Sequence, residues 1–224
     1  MKKFLSIALA LLMVCVMLPV VALAAEKTAS TYEELKSAIS TANDGDTIKL
    51  LADIDLSQTI TVNKTITLNM NGKKLYNTSD LWDKPTAEAN NWSLISVRGS
   101  GNLTITGNGT FAAKENDCYA VDVQESATVT IKNGTFIGNI HAVYVFAGTA
   151  NVEGGTYSVQ QKYPDSAKGD EFVLNCYDAN RANGTARINV TGGTFKNFNP
   201  ADNKAEGEGN NFADNSLVVQ KNNT

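Results

Sequence analysis

The stretch Val190-Thr-Gly-Gly-Thr-Phe195 is the last copy of a recurring phrase: an apolar residue, a turn that ends in glycine, then threonine and an aromatic residue. Three clear copies and one weaker copy precede it: Ile105-Thr-Gly-Asn-Gly-Thr-Phe111, Ile131-Lys-Asn-Gly-Thr-Phe136, Val152-Glu-Gly-Gly-Thr-Tyr157 and the weaker Met70-Asn-Gly-Lys-Lys-Leu75. The glycines before the threonine in the four clear copies, Gly109, Gly134, Gly155 and Gly193, are 25, 21 and 38 residues apart. This spacing predicts one repeated coil of about 20 residues that insertions enlarge in places.

Short stretches of alternating apolar and polar residues precede each copy, as in Tyr119 to Val123. Such alternation predicts strands with one buried face, and the glycines supply the positive φ of tight corners. Coils of this kind bury their apolar residues only by stacking. We therefore predict an all-β fold, a right-handed parallel β-helix (solenoid) with a short N-terminal capping α-helix.

Stacking in register predicts two columns of interior residues. One column is aliphatic: Ile105, Ile131, Val152 and Val190. The other column is aromatic: Phe111, Phe136, Tyr157 and Phe195. An antiparallel sandwich also has alternating strands, but it does not account for the return of the same residue types at a fixed position of each coil.

The chain is divided into four parts by these patterns. Residues 1–24 are expected to be a signal peptide, with Lys2 and Lys3 before an apolar stretch that ends in Ala22-Leu-Ala24; a membrane anchor is the alternative. Residues 25–46 hold the predicted capping helix, which starts at a Thr31-x-x-Glu34 capping box. Residues 47–198 form the β-helix, and 199–224 form a polar tail whose Leu217 to Val219 is a possible last strand.

The charge of the chain excludes some classes of partner. Signal cleavage would remove Lys2 and Lys3 from 19 basic residues and leave all 23 acidic residues in place. Nucleic acids and anionic membrane surfaces are bound by clustered Lys and Arg. We therefore expect no nucleic-acid partner and no membrane partner after signal cleavage.

Two cysteines remain after cleavage, Cys118 and Cys176. In an exported protein a disulfide between them is the usual expectation. The repeat register places them two coils apart. Because strands repeat at about 4.8 Å, the axial offset is about 10 Å, which exceeds the ~7 Å limit for Cα atoms of a disulfide. The sequence predicts two separate, buried thiols.

The stacked Gly-Thr-aromatic coils, the N-terminal helix and Asp44-Gly-Asp-Thr-Ile48 before the first strand resemble the pectate-lyase-like right-handed β-helix superfamily. The tail from Phe198 to Phe212 also resembles short exported, adhesin-like β-helix proteins of gut bacteria. These resemblances imply a secreted or cell-surface protein with a polysaccharide or surface glycan as partner.

The superfamily also contains polygalacturonases and polysaccharide lyases, whose motifs this chain matches poorly. His141 is followed by Ala142 where a polygalacturonase has His-Gly, and no Asp-Asp pair occurs. A lyase needs a basic residue, usually beside bound calcium, and the arginines Arg98 and Arg181 are the candidates here. We assign no catalytic residues from the sequence.

The two largest insertions, 77–92 and 160–171, are predicted to fall at the same corner of the coil. Loops on a rigid scaffold commonly carry function. The residues that stacking should bring to this side are Trp82, Trp92, Asp80, Asp83, Asn116, Asp117, His141, Tyr163 and Asp165. The tryptophans could stack on a sugar ring or only pin the loop, and His141 could be purely structural.

Acidic residues near this corner allow one cofactor hypothesis. Asp117, Asp165, Asp170, Glu171 and Asp178 form either a solvated acidic face or a loose calcium site. We predict no other cofactor and no defined metal centre. The sequence favours a non-catalytic, adhesin-like or glycan-binding module; a polysaccharide lyase and a structural spacer are the alternatives.

Overall fold

The computed structural model describes residues 23–81, 92–115, 118–161, 171–201 and 212–213. Among these residues, three parallel sheets run along the molecule, and successive strands of the chain step from one sheet to the next. Each sheet therefore gains one strand per coil. This arrangement confirms the predicted parallel β-helix.

The strands of the first sheet, sheet A, begin each coil. Among the described residues they are β1 (Glu26–Ala29), β2 (Thr47–Leu50), β5 (Thr65–Asn69), β8 (Asn102–Thr106), β11 (Thr128–Ile131), β14 (Gly148–Val152) and β17 (Ala186–Val190). Sheet B follows along each coil, with β3 (Ile54–Asp55), β6 (Lys74–Tyr76), β9 (Thr110–Ala112), β12 (Thr135–Gly138), β15 (Thr156–Val159) and β18 (Thr194–Phe195) in the described part of the chain.

Sheet C completes each coil and has the fewest strands among the described residues. They are β4 (Ile60–Val62), β7 (Ser93–Val97), β10 (Tyr119–Val123), β13 (Val143–Val145) and β16 (Leu174–Cys176). Within the described ranges two helices interrupt the pattern, α1 (Tyr32–Thr41) before β2 and the one-turn α2 (Asp178–Ala182) after β16.

Both predicted interior columns are present. In sheet A, Ile105 pairs with Ile131, Ile131 with Val152, and Val152 with Val190. The aromatic column follows sheet B, where the ring centroids of Phe111, Phe136, Tyr157 and Phe195 are separated by 4.8, 5.1 and 5.0 Å. The rings of each neighbouring pair lie within 14° of parallel, a stacked geometry that adds about 0.5–1.5 kcal/mol per pair beyond burial.

Glycine is needed where the chain turns towards the aromatic column. Gly134 and Gly155 have φ values of 116° and 98°, which residues with a side chain rarely adopt. A Cβ atom on Gly155 would also lie 3.0 Å from the carbonyl oxygen of Gly134 in the coil below. The glycine of the recurring phrase thus permits both the turn and the close stacking of coils.

The N-terminal end differs in detail from the sequence-based expectation. A capping helix is present, and the Thr31 hydroxyl accepts a hydrogen bond from the Glu34 N–H, as the capping box predicts. The segment 25–46 also contains β1, which pairs with β2 and was not predicted. The strand β5 pairs with β2 and opens the next coil.

The cysteines confirm the predicted register. Cys118 immediately precedes β10 and Cys176 ends β16, and β13 lies between these strands in sheet C. Both thiols are buried and they are not joined in a disulfide. Burial raises the pKa of Cys118 to about 12, so this thiol stays protonated at neutral pH.

Candidate functional site

The predicted functional corner is the turn from sheet B to sheet C. The segments 77–92 and 160–173 both leave a sheet B strand and lead into a sheet C strand, as do 113–118 and 139–142. Of the predicted site residues, the structure describes Asp80, Trp92 and His141. The remaining six lie outside the described residues and stay predictions: Trp82, Asp83, Asn116, Asp117, Tyr163 and Asp165.

Trp92 lies at the surface directly before β7. Its side chain is 40% exposed, and its ring centroid is 6.2 Å from that of Tyr119 in the next coil. The carbonyl oxygen of Trp92 accepts a hydrogen bond from the Tyr119 N–H, which holds the two coils together at this point. The tryptophan is therefore anchored through its backbone while one part of its ring faces solvent.

His141 is buried in a group of aromatic rings that extends from Tyr119. Its ring stacks on Tyr144 with centroids 5.2 Å apart, and its Nδ1–H donates to the carbonyl oxygen of Phe172 at 2.8 Å. Burial lowers the pKa of His141 to about 4, so the ring is neutral at physiological pH. These contacts fix the His141 ring within the aromatic group and leave only 6% of the residue exposed.

Asp80 forms an ion pair with Lys114 of the next coil. The loop that carries Asp80 is fixed by Asn77, whose Oδ1 accepts from the Lys114 N–H at 2.8 Å and whose Nδ2 donates to the Ser79 carbonyl. The Asp80 carboxylate thus already has a cationic partner.

A row of polar residues on the outer face of sheet C was missed by the sequence-based prediction. Parallel pairing aligns Thr61, Ser96, Asp122, Tyr144 and Asn175 across the five strands. The residues on either side of each row member in β7, β10 and β16 are buried and apolar. The signal was present in the sequence as one polar residue between two apolar ones, as in Val121-Asp-Val123, recurring at the same position of each strand.

Asp122 is the centre of a hydrogen-bonded network in this row. Its carboxylate accepts from the Ser96 hydroxyl at 2.9 Å and from the Gln124 amide at 2.8 Å, while the Arg98 Nε–H donates to the Ser96 hydroxyl. Burial raises the pKa of Asp122 to about 6; the hydrogen bonds from Ser96 and Gln124 and the charge of Arg98 oppose this rise. At the end of the row, the buried Oδ1 of Asn175 has no hydrogen-bond partner among the described residues.

Exposed aromatic rings flank this polar row on both sides. Trp92 lies before β7, whereas Phe146 and Tyr177 directly follow β13 and β16. Phe146 and Tyr177 are 37% and 44% exposed, and their rings stack with centroids 4.9 Å apart. We call this area the sheet C surface; its exposed or half-buried members are Trp92, Tyr144, Phe146 and Tyr177, and the buried Ser96, Asp122 and Asn175 lie between them.

Within the described ranges, no group of three or more His, Cys, Asp or Glu side chains is arranged to hold a metal ion. Of the acidic residues considered for calcium, Glu171 accepts a hydrogen bond from the Asn197 amide, and Asp178 begins α2. No helix in the described part of the chain is long and apolar enough to cross a bilayer.

Comparison with known protein families, curated proteins and solved structures found no match to this chain.

Proposed function

We propose that this protein is an exported, adhesin-like β-solenoid that binds a glycan at the cell surface or in the secreted state, and that the glycan lies across the sheet C surface. The observation that carries the proposal is the exposure of three aromatic rings, Trp92, Phe146 and Tyr177, at the two margins of one sheet. Sugar rings present C–H groups that pack on aromatic faces and hydroxyls that need polar partners. The exposed rings offer the first kind of contact, and the hydroxyl groups of Tyr177 and the half-buried Tyr144 offer the second.

The buried polar row supports the proposal in a second way. Ser96, Asp122 and Gln124 are buried and joined by mutual hydrogen bonds, so they fix the strands that carry the exposed rings. Rings held on a preorganised scaffold bind with little loss of conformational entropy. Trp92 precedes β7, whereas Phe146 and Tyr177 follow β13 and β16, so the exposed rings lie at opposite ends of the sheet C strands.

The polysaccharide lyase alternative needs an arginine that can accept a proton. Arg98 instead donates from its Nε to Ser96, and its positive charge favours the ionised form of Asp122. Arg181 lies over the ring of Phe212, 5.3 Å from its centroid. These contacts favour structural roles for both guanidinium groups, so we propose binding without catalysis.

A glycan array with the mature protein tests the proposal. We expect binding by the wild type, and at least a tenfold weaker signal for Trp92→Ala and for Tyr177→Ala, because each removes an exposed stacking surface. Tyr76→Ala is the matched control, since Tyr76 is a partly exposed aromatic residue of sheet B. Equal loss in all three variants, or unchanged binding in the two sheet C variants, would contradict the proposal.

The catalytic alternative has its own readout. The mature protein is incubated with acidic polysaccharides and calcium, and the absorbance of unsaturated sugar products is followed. We expect no increase. An increase that Arg98→Lys abolishes would replace the binding proposal with a lyase.

A further inference from the structure

A groove at the N-terminal end of the solenoid lies outside the sheet C surface. It has a volume of about 550 Å³, within the ~300–1,000 Å³ range of typical ligand sites. One wall is α1, with Tyr32, Lys36 and Ile39, and the other wall is the chain that runs through β4. Asp80 and Leu81 line one part of it.

The groove lies where sheet C lacks a strand. In the described part of the chain, sheet A has two strands, β1 and β2, before β5, whereas sheet C starts with β4. The reason is that the chain forms α1 after β1 instead of entering sheets B and C. Because α1 packs on β1 and β2, it leaves the outer edge of β4 beside open space.

The hydrogen-bonding groups of β4 face in alternating directions. The Val62 carbonyl accepts from the Arg98 N–H at 2.8 Å, which shows that Ile60 and Val62 bond to β7. In a parallel pair the intervening residue points its N–H and C=O the opposite way. The N–H and C=O of Thr61 therefore face the groove, and outside the β4–β7 ladder Thr61 forms no backbone hydrogen bond with any described residue.

The charges of the groove indicate what kind of segment fits. Asp80 is neutralised by Lys114, whereas Lys36 forms no ion pair with the described residues and lies 5.8 Å from the ring centroid of Tyr32. The uncompensated charge is thus positive. Unpaired strand edges with a groove alongside are the acceptors of strand addition, in which backbone hydrogen bonds provide affinity.

We propose that this groove binds an extended, acidic segment of another polypeptide, which adds to sheet C as a strand parallel or antiparallel to β4. The N–H and C=O of Thr61 pair with the backbone of the segment, and Lys36 pairs with its acidic side chain. This interaction is separate from glycan binding, because it uses the end of the solenoid rather than the outer face of sheet C.

The test uses the mature protein and acetylated, amidated pentapeptides of sequence Thr-Val-X-Val-Thr, where X is Glu, Gln or Lys, in isothermal titration calorimetry. We expect the Glu peptide to bind more tightly than the Gln peptide and the Lys peptide to bind most weakly. Thr61→Pro removes the N–H at an edge position that tolerates proline, and we expect about tenfold weaker binding. Thr61→Val keeps the N–H and should bind like the wild type.

A second measurement does not depend on the folding of a variant. Methylating the amide nitrogen of residue X on the peptide should weaken binding to the wild type, and the Thr61 amide should exchange with deuterium more slowly when the unmethylated peptide is present. Failure of all three peptides to bind, or equal binding by wild type and folded Thr61→Pro, would overturn the proposal. So would self-association of the protein that Thr61→Pro abolishes, because the occupant would then be a second copy.

Discussion

Two sets of aromatic rings in this molecule stack at similar distances but differ in every other respect. The column Phe111, Phe136, Tyr157 and Phe195 recurs at one position of successive coils, and its first three rings are fully buried. The pair Phe146 and Tyr177 stacks at 4.9 Å but has no counterpart of the same type in the coils before it, where Arg98 and Gln124 hold the equivalent positions. The comparison suggests that repetition marks packing and that exposed, unrepeated rings mark recognition.

The strongest test of this comparison is Phe136→Ala. The ring of Phe136 is fully buried between Phe111 and Tyr157, so its removal leaves a cavity within the column. We expect the free energy of unfolding to fall by about 3–5 kcal/mol in urea denaturation. Phe136→Leu, which fills part of the cavity, is the control and should cost less; equal costs would show that the column does not depend on ring packing.

The next test concerns His141, which is buried under the sheet C surface. Its pKa is about 4 in the folded protein and 6.5 ordinarily, so the unfolded chain binds more protons between these values. The contribution of His141 to the free energy of unfolding is therefore fully present above pH 6.5. It falls by no more than about 3 kcal/mol as the pH falls towards 4. His141→Gln should lessen this loss, which urea midpoints measured at several pH values would show.

Asp122 should act in the opposite direction. Its pKa rises from 3.8 to about 6 on folding, so the folded protein binds more protons between these values. The contribution of Asp122 to the free energy of unfolding is therefore fully present below pH 3.8. It falls by no more than about 3 kcal/mol as the pH rises through 6. Subtracting the urea midpoints of Asp122→Asn from those of the wild type across pH 4 to 7 should give a falling curve. A flat difference would mean that Asp122 is not buried as a single titrating carboxyl.

The sequence predicts much more of the fold than of the site, for a physical reason. Coils stack only in register, so the glycine and the aromatic residue of each phrase recur and the columns can be derived by counting. Tyr144 and Asp122 occupy equivalent positions of neighbouring strands yet share no chemistry, and only the pairing of β10 with β13 brings them together. Likewise, the groove beside β4 exists because α1 takes the place of one strand in sheet B and one in sheet C. The capping-box pattern predicts the helix but not this replacement.

The smallest expected effect is that of Tyr177→Ala on stability. Tyr177 is 44% exposed and contacts Phe146 by stacking, so its removal leaves no buried cavity. We expect the free energy of unfolding to change by at most about 1 kcal/mol in urea denaturation, the range of one aromatic pair. A loss as large as that of Phe136→Ala would mean that the exposed pair is part of the packing, and repetition would then no longer separate packing from recognition. A small change in the free energy of unfolding together with loss of glycan binding would show that the Tyr177 ring contributes to binding and not to stability.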